Sequence, residues 1–123
     1  MYPFAILIGG PTAAKKTELA FEIQSKIPGV VINSDSMQVY SELRSLTNMP
    51  SKGEIIKHSC NLFEFVNYPT KCDVGYWFKN VKLILSETKG KIPIFVGGTG
   101  LYLESLQKTI SPIPKISLAV KNK

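Results

Sequence analysis

Hydrophobic residues in this chain fall in short bursts divided by polar or glycine-rich turns. Phe4-Ala5-Ile6-Leu7-Ile8 is an unbroken apolar run, the pattern of a parallel strand covered on both faces. Beyond a glycine turn, Leu19, Ala20, Ile23 and Ile27 recur at helical spacing until Pro28-Gly29 stops them. Val30-Val31-Ile32 reads as a second buried strand and runs straight into the polar cluster Asn33-Ser34-Asp35-Ser36. From Ser41 to Asn61 the pattern weakens: Pro50-Ser51-Lys52-Gly53 signals a loop, and Glu54–Ser59 a short helix. Leu62-Phe63-Glu64-Phe65-Val66 reads as a strand ended by Asn67-Tyr68-Pro69.

The clearest amphipathic helix comes next. Asp73 is placed as its N-cap, with Val74, Trp77, Phe78, Val81, Ile84 and Leu85 on one face, and Gly90 as its stop. Ile92-Pro93-Ile94-Phe95-Val96 is a third buried strand, its proline near the start, where a missing donor matters least. Gly97-Gly98-Thr99-Gly100 leads from it into a helix expected over Leu101–Lys108. Strands alternating with helices predict an α/β fold, a P-loop NTPase-like parallel sheet flanked by helices and built from right-handed βαβ units. The core is expected over residues 1–110, with 111–123 an extended, frayed tail. The loops Gly10–Thr17, Asn33–Gln38 and Gly97–Gly100 would then converge on one sheet edge, where open α/β sheets keep their ligands.

Composition narrows the class. A chain of 123 residues fits one domain, and 44% hydrophobic with 20% charged residues is ordinary for a globular protein. The net charge of +6 suits a polyanionic partner, although scattered lysines account for it equally well. Cys60 and Cys72 lack metal-site spacing, and His58 is the single histidine, so two free thiols in a reducing cytoplasm are expected. The N-terminus has no basic n-region and its apolar run is too short to span a bilayer, which predicts a soluble cytoplasmic protein.

Gly10-Pro11-Thr12-Ala13-Ala14-Lys15-Lys16-Thr17 follows a strand and opens a helix, the layout of a P-loop, G-x-x-x-x-G-K-[ST], with Lys15 in the place of the second glycine. Backbone N–H groups there would surround a diphosphate, the Lys16 ammonium would meet its oxygens, and the Thr17 hydroxyl would reach a Mg²⁺ ion. A register shifted by one would put Lys16 where Ser or Thr is needed. A left-handed backbone at Lys15 would cost roughly 1–2 kcal/mol, and an ordinary one little. Asp35 is the best-placed general base, or else the cap of a short helix over Ser36–Tyr40. Gln38 carries an amide suited to an adenine edge. Thr99 is the one side-chain functional group of the third loop.

Together the three loops resemble the tRNA dimethylallyltransferases (tRNA isopentenyltransferases). Gly10–Thr17 is similar to that family's opening G-P-T-A-S-G-K-[ST], departing from it at Ala14 and Lys15. Asn33–Tyr40, N-S-D-S-M-Q-V-Y, is similar to N-A-D-S-M-Q-V-Y, with Ser34 for alanine, and Val96–Tyr102 matches V-G-G-T-G-L-Y without change. Where the family is usually histidine-rich this chain has His58-Ser59-Cys60-Asn61. The resemblance implies transfer of a dimethylallyl group from dimethylallyl diphosphate to the exocyclic amine of an adenosine beside the tRNA anticodon. It implies Asp35 as general base, Thr99 beside the reacting groups, and Asp35, Ser36, Met37 and Gln38 against a flipped-out adenosine. Gly10–Thr17 would hold the diphosphate, with Mg²⁺ at Thr17. Members of the family are more than twice this long, so the resemblance also implies a truncated chain that exposes apolar surface at the first strand and self-associates. The alternatives are a small P-loop nucleotide kinase or ATP-binding protein, and an inactive relic serving as an interaction module.

Overall fold

The computed structural model describes residues 5–9, 15–45, 47, 49–67, 69–97 and 115–119. Four strands, β1 (Ala5–Gly9), β2 (Gly29–Asn33), β3 (Ile92–Val96) and β4 (Lys115–Ala119), form a wholly parallel sheet in the order β2-β3-β1-β4. Among the described residues three helices accompany it: α1 (Lys16–Gln24), α2 (Lys52–Lys57) and α3 (Val74–Glu87), with a 3₁₀ turn at Ser41–Leu43. The expected α/β class and its first three strands are therefore present. Among the described residues no helix is long and apolar enough to cross a membrane.

Alternation along the strands divides the core into two layers. Leu7, Val30, Ile32 and Phe95 face α3, where they meet Trp77 and Val81. Ile6, Ile8, Val31, Ile94 and Val96 face the opposite way, onto Ala20 of α1 with Met49 and Phe63. Ile8, Val31, Ile32, Trp77, Val81 and Ile94 are wholly buried, as strands covered on both faces require. The α3 stripe is anchored by its N-cap: the Asp73 carboxylate accepts the Tyr76 N–H at 2.8 Å. Gly90, at φ 90°, turns the chain back after the helix.

Two expectations fail. Leu62–Val66 is not a strand, because Leu62 (φ 67°) and Glu64 (φ 41°) adopt the left-handed region and break the pleat. Its β-type pairing is limited to isolated bridges, Asn61 to Ile32 and Val66 to Tyr40. The chain from 111 onward does not simply fray: Lys115–Ala119 pairs in register with all of β1, Ile6 against Ile116 and Ile8 against Leu118. β1 therefore lies inside the sheet between β3 and β4, and its expected exposed edge is covered. A five-residue strand needs a long-range partner to form, which local pattern does not reveal. The helix expected over Leu101–Lys108 lies outside the described residues.

Candidate active site

β2 ends in Asn33, which is wholly buried and organises the turn beyond the strand. Its Oδ1 accepts the Asp35 N–H at 2.9 Å, while its Nδ2 donates to Asp35 O at 3.1 Å and to Leu62 O at 3.0 Å. Its own carbonyl accepts the Trp77 indole N–H at 2.7 Å, and its N–H donates to Asn61 O at 2.9 Å. One asparagine thus joins β2, α3 and the 61–66 loop beneath Asp35.

Asp35 then closes a tight turn. Its Oδ1 accepts the Met37 N–H at 2.8 Å, and its carbonyl accepts the Gln38 N–H at 3.2 Å. Asp35 is the cap of a turn, not of a helix, since residues 36–39 are bends and turns. Oδ1 fixes the geometry of the turn, and Oδ2 has no hydrogen-bond partner among the described residues. Ser36 and Met37 are exposed, Met37 at 53%, and Gln38 is half-buried with its backbone carbonyl accepting the Glu64 N–H at 2.9 Å. The turn thus exposes Ser36 and Met37 beside the Asp35 carboxylate, with Gln38 half-buried next to them.

The 61–66 loop braces this turn from below. Val66 N–H donates to Val39 O at 3.0 Å, and Arg44 clamps Glu64 through two parallel bonds, Nε to Oε1 at 3.0 Å and Nη2 to Oε2 at 2.7 Å. The guanidinium also donates to Pro50 O at 2.9 Å. This bidentate pairing holds the Glu64 carboxyl below the usual carboxylate range and raises Arg44 further above its own. Tyr40 adds a link to the segment just before α3, its hydroxyl accepting the Cys72 N–H at 3.0 Å.

On the phosphate side, Lys15, Lys16 and Thr17 are described, and Gly10, Pro11, Thr12, Ala13 and Ala14 lie outside the described residues. Lys15 is exposed and stands at the N-cap of α1 with φ −86°, so it carries none of the left-handed strain that the missing glycine raised. Lys16 is 6% exposed. Burial lowers its ammonium from the usual lysine value, while the Asp35 carboxylate pushes in the other direction. Lys16 and the Asp35 carboxylate therefore lie close enough to feel each other's charge. Thr17 is half-buried in the first turn of α1.

The third loop is described only as far as Gly97, and Thr99 lies beyond. Gly97 is pinned between strands, its N–H donating to Ile8 O at 3.1 Å, while Ser34 N–H donates to Val96 O at 2.7 Å. A Cβ at Gly97 would fall 2.6 Å from Ser34 C and 2.7 Å from Asp35 N. Only glycine allows β3 to end against the Asp35 turn. Sequence reasoning missed the bracing roles of Asn33, Trp77 and Gly97. Asn two residues before Asp is the signal that could have found the first of them.

A half-open cavity of about 260 Å³ lies at the other end of β2, lined by Gln24, Gly29, Lys57, His58, Thr88 and Lys91 among others. It lies beside the C-terminal ends of α1, α2 and α3. Burial pushes the Cys60 thiol up to about 12, which disfavours its thiolate.

Comparison with known proteins gives one consistent answer. The IPP transferase family model matches residues 38–123. The chain is 48% identical over 122 residues to the tRNA dimethylallyltransferase of Pelagibacter ubique, covering 96% of this chain and 38% of that protein. It is 43% identical over 114 residues to the tRNA dimethylallyltransferase of Methylocella silvestris, covering 91% and 38%. The crystal structure of a Staphylococcus epidermidis tRNA delta(2)-isopentenylpyrophosphate transferase superposes with a TM-score of 0.77 at 34% identity, over 85% of this chain and 35% of that one. The chain thus spans about two fifths of the length of the curated relatives it matches. With Asn33–Tyr40 and Gly97 arranged as described, the chain belongs to the IPP transferase family.

Proposed function

We propose that this chain carries the donor and base side of a tRNA dimethylallyltransferase. The exocyclic amine of an adenosine beside the anticodon attacks the allylic carbon of dimethylallyl diphosphate. The new C–N bond forms as the C–O bond breaks, pyrophosphate departs with the electron pair, and the amine proton passes to Asp35. The observation that supports this best is Asp35 itself, one oxygen fixed by its own turn and the other without a partner among the described residues, in the field of a buried Lys16.

The residues present suit the remaining roles. Lys16 would meet the diphosphate oxygens with Gly10–Ala14 and Lys15 around them, Ser36, Met37 and Gln38 would lie against the adenosine, and Thr99 would stand beside the reacting groups. Among the described residues no three His, Cys, Asp or Glu side chains gather to hold a metal. A hydroxyl at Thr17, phosphate oxygens and water are a donor set that Mg²⁺ accepts, and the ion would neutralise the leaving diphosphate. The reaction would take place in the cytoplasm. Copies of this chain would associate through the outer edge of β4; a clean monomer by light scattering at high concentration would contradict that.

The test is incorporation of labelled dimethylallyl into tRNA, with calorimetry against dimethylallyl diphosphate, pyrophosphate and ATP. Loss of incorporation in Asp35→Ala with diphosphate binding retained is the expected result. Binding of ATP with no response to dimethylallyl diphosphate would replace this reading with a nucleotide-binding one.

A further inference from the structure

The half-open cavity of about 260 Å³ lies at the start of β2, the opposite end of that strand from the Asp35 turn. Side-chain amides tie its walls together. Gln24 Nε2 donates to His58 O at 2.8 Å and to Gly29 O at 3.3 Å, and Asn61 Nδ2 donates to Ser59 O at 3.0 Å. The helix ends beside it are capped as well. The Ser59 and Cys60 N–H groups donate to Ile56 O and Ile55 O, the Thr88 hydroxyl to Ile84 O, and the Lys91 N–H to Thr88 O. A helix C-terminus is negative through its unpaired carbonyls, so this capping weakens the repulsion that an anion would meet.

The groups left over are cationic or donating. Lys57 and Lys91 line the cavity, and neither ammonium has an ion-pair or hydrogen-bond partner among the described residues. Among the described residues no Asp or Glu lines it. His58 adds an imidazole held flat against Phe21, with ring centroids 3.7 Å apart. Ser59 adds an exposed hydroxyl, and its backbone is a separate pointer. At φ 51° it fills the left-handed position after α2, which glycine fits with least strain. Serine there strains the backbone and brings a hydroxyl to the cavity wall.

We propose that this cavity binds a phosphate group, as the free ion or a small phosphomonoester, held by Lys57, Lys91 and the Ser59 hydroxyl. Two ammonium groups match a dianion, and a hydroxyl offers a further donor to its oxygens. The site lies apart from Lys16 and rests on no part of the proposed prenyl transfer.

His58 is the single histidine of the chain, so its ring-proton NMR resonances report on this cavity and not on Lys16. At about pH 8, where an ordinary histidine is neutral, inorganic phosphate should shift them saturably, and sodium chloride of matched ionic strength should not. Lys57→Gln and Lys91→Gln should each weaken the phosphate response roughly tenfold and leave thermal melting unchanged, since both lysines are exposed. Ser59→Gly should melt no lower than the native chain, yet bind roughly threefold more weakly. Tighter binding of ribose 5-phosphate than of phosphate marks the monoester as the ligand, and the reverse marks the free ion. A response that does not saturate, that chloride reproduces, or that survives in both lysine variants overturns the proposal. Equal affinity in Ser59→Gly overturns it too. A shift from oligouridylate with none from either small ligand would make the cavity an RNA contact instead.

Discussion

The two halves of the candidate site are built in opposite ways. The Asp35 turn is held by side chains: Asn33 brackets it, Trp77 and Leu62 fix Asn33, and the Arg44–Glu64 pair braces the loop beneath. At the start of α1 the N-cap is Lys15, which makes no side-chain capping hydrogen bond. A base must be aimed before its substrate arrives, because a misplaced carboxylate loses the geometry of proton transfer. A phosphate cradle acts through backbone N–H groups and one ammonium, and its ligand supplies the missing acceptors. On the function proposed above, the difference would mean that the Asp35 side is prebuilt by the chain's own side chains, whereas the Lys16 side would be completed by what it binds.

Breaking the frame tests this most strongly. Asn33→Leu keeps the volume but leaves the Asp35 N–H and the Leu62 carbonyl unpaired in a buried site. It should destabilise the fold by about 3 kcal/mol in chemical denaturation. Below the transition, pyrophosphate binding should persist while prenyl incorporation collapses. Equal loss of both would mean that the two halves are one cooperative unit.

Gly97→Ala is next. Its new methyl would press on backbone atoms of Ser34 and Asp35 that have no alternative rotamer. A cost of about 2 kcal/mol is expected, in the range of overpacked cores. Thermal melting gives the cost, and the incorporation rate should fall with Asp35 displaced. An unchanged rate would show that the turn tolerates movement at this contact.

The Arg44–Glu64 brace gives a smaller effect with a defined pH direction. Arg44 depresses the Glu64 carboxyl in the folded state. Its contribution is therefore complete above the unfolded-state carboxylate pKa and is lost as pH falls through the lowered folded value. Glu64→Gln should cost about 1 kcal/mol at neutral pH, as a bidentate but partly exposed pair. The native and variant melting curves should converge on acidification. A gap that stays constant into acid would remove the ion pair from the account.

These positions also mark how far the sequence reveals the structure. Val30–Ile32, Ile92–Val96 and the α3 stripe are legible because burial imposes a period on them, and Asp73 announces its helix. The 61–66 loop imitates a strand because a left-handed φ at Leu62 or Glu64 leaves no trace in a hydrophobic pattern. β4 looks like a tail because its partner, β1, lies more than a hundred positions earlier. Asp35 can be found from its place after a buried strand. The asparagine and tryptophan that aim it cannot, since Trp77 reaches Asn33 across 44 positions.

The smallest expected effect concerns the residue that the P-loop pattern makes most suspect. Lys15 replaces a glycine, and replacement of a left-handed glycine would strain the loop. Its φ of −86° is available to any residue, and its side chain is exposed and away from the core. Restoring glycine therefore relieves no strain, and it adds chain entropy to the unfolded state. Lys15→Gly should change stability by no more than about 0.5 kcal/mol, on the unfavourable side. Pyrophosphate affinity should fall slightly from the loss of one exposed positive charge, and that fall should vanish at high salt. Affinity that rises at all salt concentrations would mean that the Lys15 side chain obstructs the cradle, and the phosphate half would then be shaped by the chain after all.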